Sequence, residues 1–353
     1  MRIGITYDLK TADEEGDSRL PDDFQEEFDS PATIEAIVAV LRGLGHVVEK
    51  LGDGRELLER LLADPPEFVF NFAEGQGVGR AREARVPAVL EMLGIAYSGS
   101  DPLTLAVTLD KDCAKRLVQS AGVAVPRGTV VQSPRSKVQS LAGDFGLWTL
   151  DFGLSFPVIV KPAWEGSSKG IRGHCLVHRP EELADVVESL ARDYDQPVLV
   201  EEYIQGYEVT VGIVGNDPPQ VIGMMGIVPC EPSEHFVYSV DVKRDFRRLV
   251  RYESPPKIEI RAIEAASAAA LRAHQVLGCR DISRVDFRIR DGVPYFLEIN
   301  PLPGLNPDSS DLVILSRLCG WTYSQLIETI FSAAVARTTR SARFSDAVVG
   351  QPF

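Results

Sequence analysis

The chain has 353 residues, 44% hydrophobic and 25% charged, the composition of an ordinary globular protein with room for two or three structural units. A formal net charge of −14 argues against non-specific binding to nucleic acid or to an anionic membrane surface, both of which need a basic face. Cys113, Cys175, Cys230, Cys279 and Cys319 are scattered and form no CxxC pair, so they read as reduced thiols of a cytoplasmic protein. The five histidines contain no HExxH motif and are expected to be structural. The start of the chain reads as a strand and not a signal sequence, and no apolar run is long enough to span a bilayer.

In chain order, residues 3–7 are a predicted strand, followed by an acidic polar segment, 8–29, read as a loop. Ser30-Pro31 opens a helix by N-cap and proline-first logic. Ile34, Ile37, Val38, Leu41 and Leu44 form its apolar face. Strands are expected at 47–51 and 68–72, and helices at 57–62 and 86–93. This alternation predicts a Rossmann-like unit with a parallel sheet over residues 1–99. Within it, residues 71–79 imitate a dinucleotide fingerprint, but the third glycine of GxGxxG would fall on Arg80, so the match fails. A glycine loop at the carboxyl end of a parallel strand is still a natural ligand edge, which makes Glu74 a candidate substrate contact.

Helices are expected from Ser100-Asp101-Pro102 and at 112–120, the latter headed by Asp110-Lys111. After a polar stretch, 132–151, the apolar strand 156–161 ends in Lys161 and runs into Glu165-Gly166-Ser167-Ser168-Lys169-Gly170. That loop offers backbone amides, two hydroxyls and a lysine to phosphate oxygens, without the spacing of a Walker A loop. Lys161, inward on an apolar strand, needs an anionic partner. A helix (180–191) and three strands (196–204, 208–214 and 220–228) follow, then a polar connection, 229–256. Helices are predicted at 258–277, 312–320 and 323–335, with a loose tail from residue 338.

Residues 284–300 read as a hairpin. Arg284, Asp286 and Arg288 share one face of its first strand, and Glu298 and Asn300 share a face of its second. A plain two-residue turn at Asp291-Gly292 would set Asp286 opposite Leu297. A three-residue loop, or a bulge with Gly292 at positive φ, sets Asp286 opposite Glu298 and Arg284 opposite Asn300, and this is the predicted pairing. Two carboxylates, a carboxamide and a guanidinium then share one surface, a set suited to magnesium bound together with substrate phosphates. The turn-rich segment 301–310 directly after it reads as a shaped loop at a site.

Five separated motifs carry a family resemblance: Tyr97-Ser98-Gly99-Ser100, Leu109-Asp110-Lys111, Val160-Lys161-Pro162 with Glu165 to Ser168, Glu201 to Ile204 with Glu208, and Arg284-Val285-Asp286 with Glu298-Ile299-Asn300. By their order and spacing the chain resembles the ATP-grasp carboxylate–amine ligases, and among them the D-alanine–D-alanine ligases. The resemblance implies an α/β protein (α+β in its C-terminal half) with the ATP-grasp fold behind a Rossmann-like N-terminal domain at 1–99. It further implies a lid subdomain at 100–200, a core with the metal site at 201–335 and a loose tail at 336–353.

By the same resemblance Lys111, Lys161 and Lys243 hold ATP phosphates, and the loop containing Glu165, Gly166, Ser167 and Ser168 closes over them. Glu201 and the backbone of Glu202, Tyr203 and Ile204 read the adenine edge, and Glu208 binds the ribose. Asp286, Glu298 and Asn300 ligate two magnesium ions, with manganese as a substitute. Arg284 faces the oxyanion, Ser167 and Gly304 join it among the catalytic residues, and Gly304 and Ser309 touch the substrate carboxylate. The family pattern is compatible with a homodimer.

The substrate-selecting half departs from that pattern. Tyr7-Asp8-Leu9-Lys10 and an acidic insertion replace a Ser-x-Glu segment, Glu74-Gly75 replaces a His-Gly pair, and Arg244 replaces a tyrosine, so Glu74, Arg244 and Arg284 are the expected substrate contacts beside Gly304 and Ser309. The expected activity is ATP-dependent joining of a small carboxylate to an amine through an acyl phosphate, with D-alanine or other amino acids or small acids as substrates. A regulator that binds ATP without turnover is the alternative.

Overall fold

The computed structural model of the protein describes residues 1–11, 20–132 and 153–349, the stretch 341–349 as backbone only. Most of the polar stretch expected at 132–151 therefore lies outside the described residues, as do residues 12–19 of the acidic segment and the last four of the chain.

The first sheet is parallel, in the order β2-β1-β3-β4, with β1 at Arg2–Tyr7, β2 at Val47–Gly52, β3 at Phe68–Phe72 and β4 at Ala96–Tyr97. All five residues of β3 are buried, as a central parallel strand covered on both faces requires. Helix α1 (Pro31–Gly43) starts as its sequence dictates: the Ser30 hydroxyl accepts from the Thr33 amide at 3.3 Å and Pro31 takes the first turn. Its Ile34, Ile37, Val38 and Leu41 share one core with Ile3, Ile5, Phe68 and Phe70. Helices α2 (Gly54–Ala63) and α3 (Arg85–Met92) belong to this unit.

Next come α4 (Pro102–Leu109) and α5 (Lys111–Ser120), capped by Asp101 and Asp110, whose carboxylates each accept from an amide three residues on, at 2.9 Å. A small antiparallel sheet has the order β5-β8-β6-β7, with β5 at Gly128–Val131, β6 at Val158–Pro162, β7 at Leu176–Val177 and β8 at Val198–Glu202. It is backed by α6 (Pro180–Tyr194), whose Leu183, Val187 and Leu190 pack with Val158, Val160 and Val200.

The largest sheet is antiparallel, in the order β11-β10-β9-β12-β13. Its strands are β9 Tyr207–Val214, β10 Gln220–Pro229, β11 Val250–Glu253, β12 Ile282–Arg290 and β13 Val293–Asn300. The segment expected as a polar connection at 229–256 contains β11 and two short helices, α7 (Val240–Arg244) and α8 (Phe246–Leu249). Their few apolar residues gave no period to read. The alanine-rich α9 (Ile260–Val276) packs Ala262, Ala266, Ala270 and Ala273 against this sheet, sharing its core with Ala114 and Val118 of α5.

After α10 (Asp311–Leu318), α11 (Tyr323–Val349) seats Leu326, Ile327, Ile330 and Phe331 in the core of the first sheet. The loose tail expected from residue 336 is corrected here: the helix continues to Val349. Its apolar period stops at Val335, but Arg337 pairs with Asp281 at 2.8 Å and donates to the Tyr97 carbonyl at 2.9 Å, so a polar anchor holds what apolar spacing does not.

The hairpin has the predicted pairing, Asp286 opposite Glu298 and Arg284 opposite Asn300. The extra residue lies on β13 and not in the turn. Asp291 and Gly292, at φ 53° and 76°, make a two-residue turn, Arg290 pairs with Val293, and the register shifts beyond Phe287–Phe296 so that Leu297 is the bulge. Val285, Phe287, Phe296 and Ile299 stay buried on the core side. Leu297, Glu298 and Asn300 stay on the other.

Candidate active site

Two cavities meet at Glu298, which lines both. The smaller, of about 90 Å³, lies between the small antiparallel sheet and the large one. Lys161, Ser168, Glu201, Glu202, Tyr203, Ile204, Glu208, Lys243, Asp286 and Glu298 all line it, so the residues expected around a nucleotide do converge.

Several are held by side chains that sequence reasoning missed. Glu201, 1% exposed, accepts from Lys115 and, at 2.6 Å, from Lys161. Burial works to raise the Glu201 carboxyl, but the two lysines hold it below the usual carboxylate range. Burial in turn pushes Lys115 down to about 8, against the pull of Glu201. Glu208 pairs with Arg288 at 2.7 Å directly across β9 and β12. Burial outweighs this arginine and leaves Glu208 above its ordinary value. The signals were present: Lys115 is one helical turn from Lys111, and Arg288 shares its strand face with Asp286.

At the junction, Arg284 lies 2.9 Å from Asp286 and 3.7 Å from both Glu298 and Asp311. Asp311, also missed, accepts from the Tyr238 hydroxyl at 2.9 Å, and both line the smaller cavity. Against its burial, Lys111, Lys243, Arg284 and Lys161 hold Glu298 down at about 2. Burial raises Asp286, with Glu298 adding to the rise. Asn300 Nδ2 is 3.5 Å from Asp286 and 3.4 Å from Glu298. This oxygen-rich set of two carboxylates and a carboxamide is of the kind that would hold magnesium together with phosphate oxygens. Among the described residues no group of three or more His, Cys, Asp or Glu is placed to hold a metal by itself.

The second cavity, about 270 Å³, is lined by Lys111, Glu165, Gly166, Ser167, Arg284, Glu298, Asn300, Gly304 and Ser309, and on its far side by Glu74, Glu83 and Asp29. Burial pushes Asp29 and Glu83 up to about 8 and Glu74 well above the carboxylate range, with Glu83 and Glu27 adding to the rise of Glu74. Arg244, expected among the substrate contacts, lines neither cavity. Its guanidinium is taken by Asp22 at 2.8 Å and Glu26 at 2.9 Å.

Between the cavities runs loop 165–170. Ser167 and Ser168 adopt φ of 49° and 60°, two successive left-handed residues that turn backbone amides to one side at a cost of roughly 1–2 kcal/mol each. The Gly166 amide donates to Glu27 and the Gly170 amide to Asp23 at 2.9 Å. Glu27 also pairs with Arg82 at 2.7 Å, and Lys169 with Glu165 at 2.6 Å. Asp23 and Glu27, from the described part of the acidic segment, thus place carboxylates against the phosphate-type loop.

A cleft between two antiparallel sheets, a glycine- and serine-containing loop beside it and a carboxylate pair at its end are the arrangement of a ligase of the ATP-grasp class. The family profile of the D-ala D-ala ligase C-terminus matches residues 117–332. The chain is 34% identical over 317 residues to protein y4sG of Sinorhizobium fredii, covering 86% of this chain and 87% of that one. It is 30% identical over 304 residues to the D-alanine–D-alanine ligase of Pelotomaculum thermopropionicum, covering 86% and 91%. In fold it resembles the Bacillus anthracis D-alanine–D-alanine ligase complexed with ATP, with TM-score 0.70, 23% identity and 97% and 99% of the two chains covered. It also resembles the VanG D-Ala:D-Ser ligase of Enterococcus faecalis, with TM-score 0.69, 21% identity and 94% and 99% covered. The chain belongs to the D-alanine–D-alanine ligase family and is an ATP-dependent, peptide-bond-forming ligase of that type. Among the described residues, no helix is long and apolar enough to cross a membrane.

Proposed function

We propose that the protein activates the carboxylate of one amino acid or small acid with ATP and joins it to the amine of a second. The observation that carries this reading is the meeting of a nucleotide-type cavity and a substrate-type cavity at one carboxylate, Glu298. Tyr203, Ile204 and Glu202 frame the base, Glu208 takes the ribose hydroxyls, and Lys161, Lys243 and Lys111 face the phosphates. Asp286, Glu298 and Asn300 would hold two magnesium ions, whose charge would offset that of the phosphate being transferred.

Loop 165–170 carries Ser167 and Gly166 on the substrate side and Ser168 on the nucleotide side, so its closure would shield an acyl phosphate from water. Arg284 keeps its charge at any working pH and borders the substrate cavity, where it can stabilise the oxyanion of the tetrahedral intermediate. The attacking amine needs positioning more than a protein nucleophile, and Gly304 and Ser309 flank the place its partner's carboxylate would occupy. The test is ADP release from Mg-ATP across D-alanine, the other amino acids and small acids, with products read by mass spectrometry. ADP accompanied by an amide product is expected. Nucleotide binding without ADP from any mixture would instead make the chain a regulator.

A further inference from the structure

The charges around the substrate cavity do not balance. Its cations are committed elsewhere: Arg284 to Asp286, Lys111 to the Glu165 carbonyl with Glu298 at 3.8 Å, and the nearby Arg82 and Lys169 to Glu27 and Glu165. Three carboxyl groups on the wall, Asp29, Glu74 and Glu83, form no ion pair within 4 Å among the described residues. Glu83 is only 8% exposed, borders the cavity and has no hydrogen-bond partner among those residues. Lys10, the remaining cation at the cavity, is exposed to solvent.

One α-ammonium group would neutralise a single carboxylate and leave two others desolvated and facing each other. Phe28, Leu109 and Leu302 add apolar wall to the same cavity, suited to a methylene spacer.

Resting on the ligase reading above, we propose that this cavity selects a substrate bearing at least two positive charges: a basic amino acid or diamine. Glu83 and Glu74 receive the second ammonium group, and Phe28 and Leu109 flank the carbon chain that separates it from the first. A substrate with one charge loses those contacts and leaves the carboxyl groups to protonate.

The experiment is calorimetric titration of the full chain with ornithine and with norvaline, which lacks only the terminal amine, each as both enantiomers. Titration with 1,4-diaminobutane and an ADP-release assay with the same compounds accompany it. Ornithine or the diamine should bind at least tenfold more tightly than norvaline, by ~1.4 kcal/mol or more. Glu83→Gln, and separately Glu74→Gln, should collapse that ratio to within about threefold, with ATP affinity reporting that each variant is folded. Norvaline binding as tightly as ornithine, or a ratio untouched by both substitutions in folded protein, overturns the proposal. Selective dication binding with no ADP formed from any substrate would overturn the ligase reading and leave this one standing. ADP formed equally well from singly charged amino acids, with no binding preference, would do the reverse.

Discussion

Replacing Glu201 by glutamine keeps the shape of the side chain and removes the charge that Lys115 and Lys161 share. Both lysines are 7% exposed, and the glutamate between them is 1% exposed. Breaking a buried pair by removing one partner costs ~3–5 kcal/mol, because the other is left charged in a poor solvent. Two ammonium groups then face each other, and one sheds its proton. Lys115 yields first, since burial has already brought it down to about 8.

The share of the loss routed through this deprotonation grows by roughly 1 kcal/mol for each pH unit below 8, and it fades above pH 8, where wild-type Lys115 loses its own proton. The sign follows from proton counting. Below pH 8 the folded variant binds one proton fewer than its unfolded chain, while folded wild type does not, so acidification favours unfolding of the variant alone. Urea unfolding of both proteins, followed by tryptophan fluorescence from pH 6 to 9, measures the gap. A gap under 1 kcal/mol throughout, or one that does not widen between pH 7 and pH 6, would refute the reasoning.

Other perturbations probe other parts of the site. Glu298→Gln and Asp286→Asn should each lower ADP release at least a thousandfold, and Asp286→Asn should leave the thermal midpoint of the metal-free protein unchanged or raised, because burial and the facing Glu298 already disfavour the charged Asp286. A fall in that midpoint by several degrees would contradict this. Arg288→Met removes the partner of Glu208, whose carboxyl already lies above its ordinary value through burial. ATP affinity should drop severalfold at acid pH and recover as rising pH ionises the glutamate; a pH-independent loss would speak against Glu208 as a charged acceptor. Glu27→Ala strips the Gly166 amide of its acceptor, so hydrogen exchange across loop 165–170 should quicken at least tenfold, and unchanged protection would show that the acidic cap does not hold the loop.

Much of this site could be read in the sequence because its chemistry is local. Asp286, Glu298 and Asn300 lie on two adjacent strands joined by one turn, so alternation and register alone bring them together. Placing the bulge was harder. Both a longer turn and a bulge give the same pairing, and only backbone geometry assigns the extra residue to Leu297.

The long-range contacts were hidden. Glu27 reaches Gly166 across 139 positions and Asp23 reaches Gly170 across 147, and a run of acidic residues carries no mark of the loop it caps. Arg244 illustrates the same limit. Its position in the motif suggested substrate, but the insertion supplied two carboxylates that captured it. The continuation of α11 past Val335 escaped for another reason: helix propagation needs neither an apolar stripe nor a breaker, and Arg337 finds its anchor on a distant loop aspartate.

The account stands on transfer of phosphate to a substrate carboxylate before the amine attacks. The direct test supplies Mg-ATP with amino acids labelled with oxygen-18 in their carboxyl groups, first D-alanine and then ornithine, and reads the phosphate released. One labelled oxygen per phosphate, matched by one amide formed, is the predicted result. Unlabelled phosphate accompanying product would mean that water or another group takes the phosphoryl, and would contradict it.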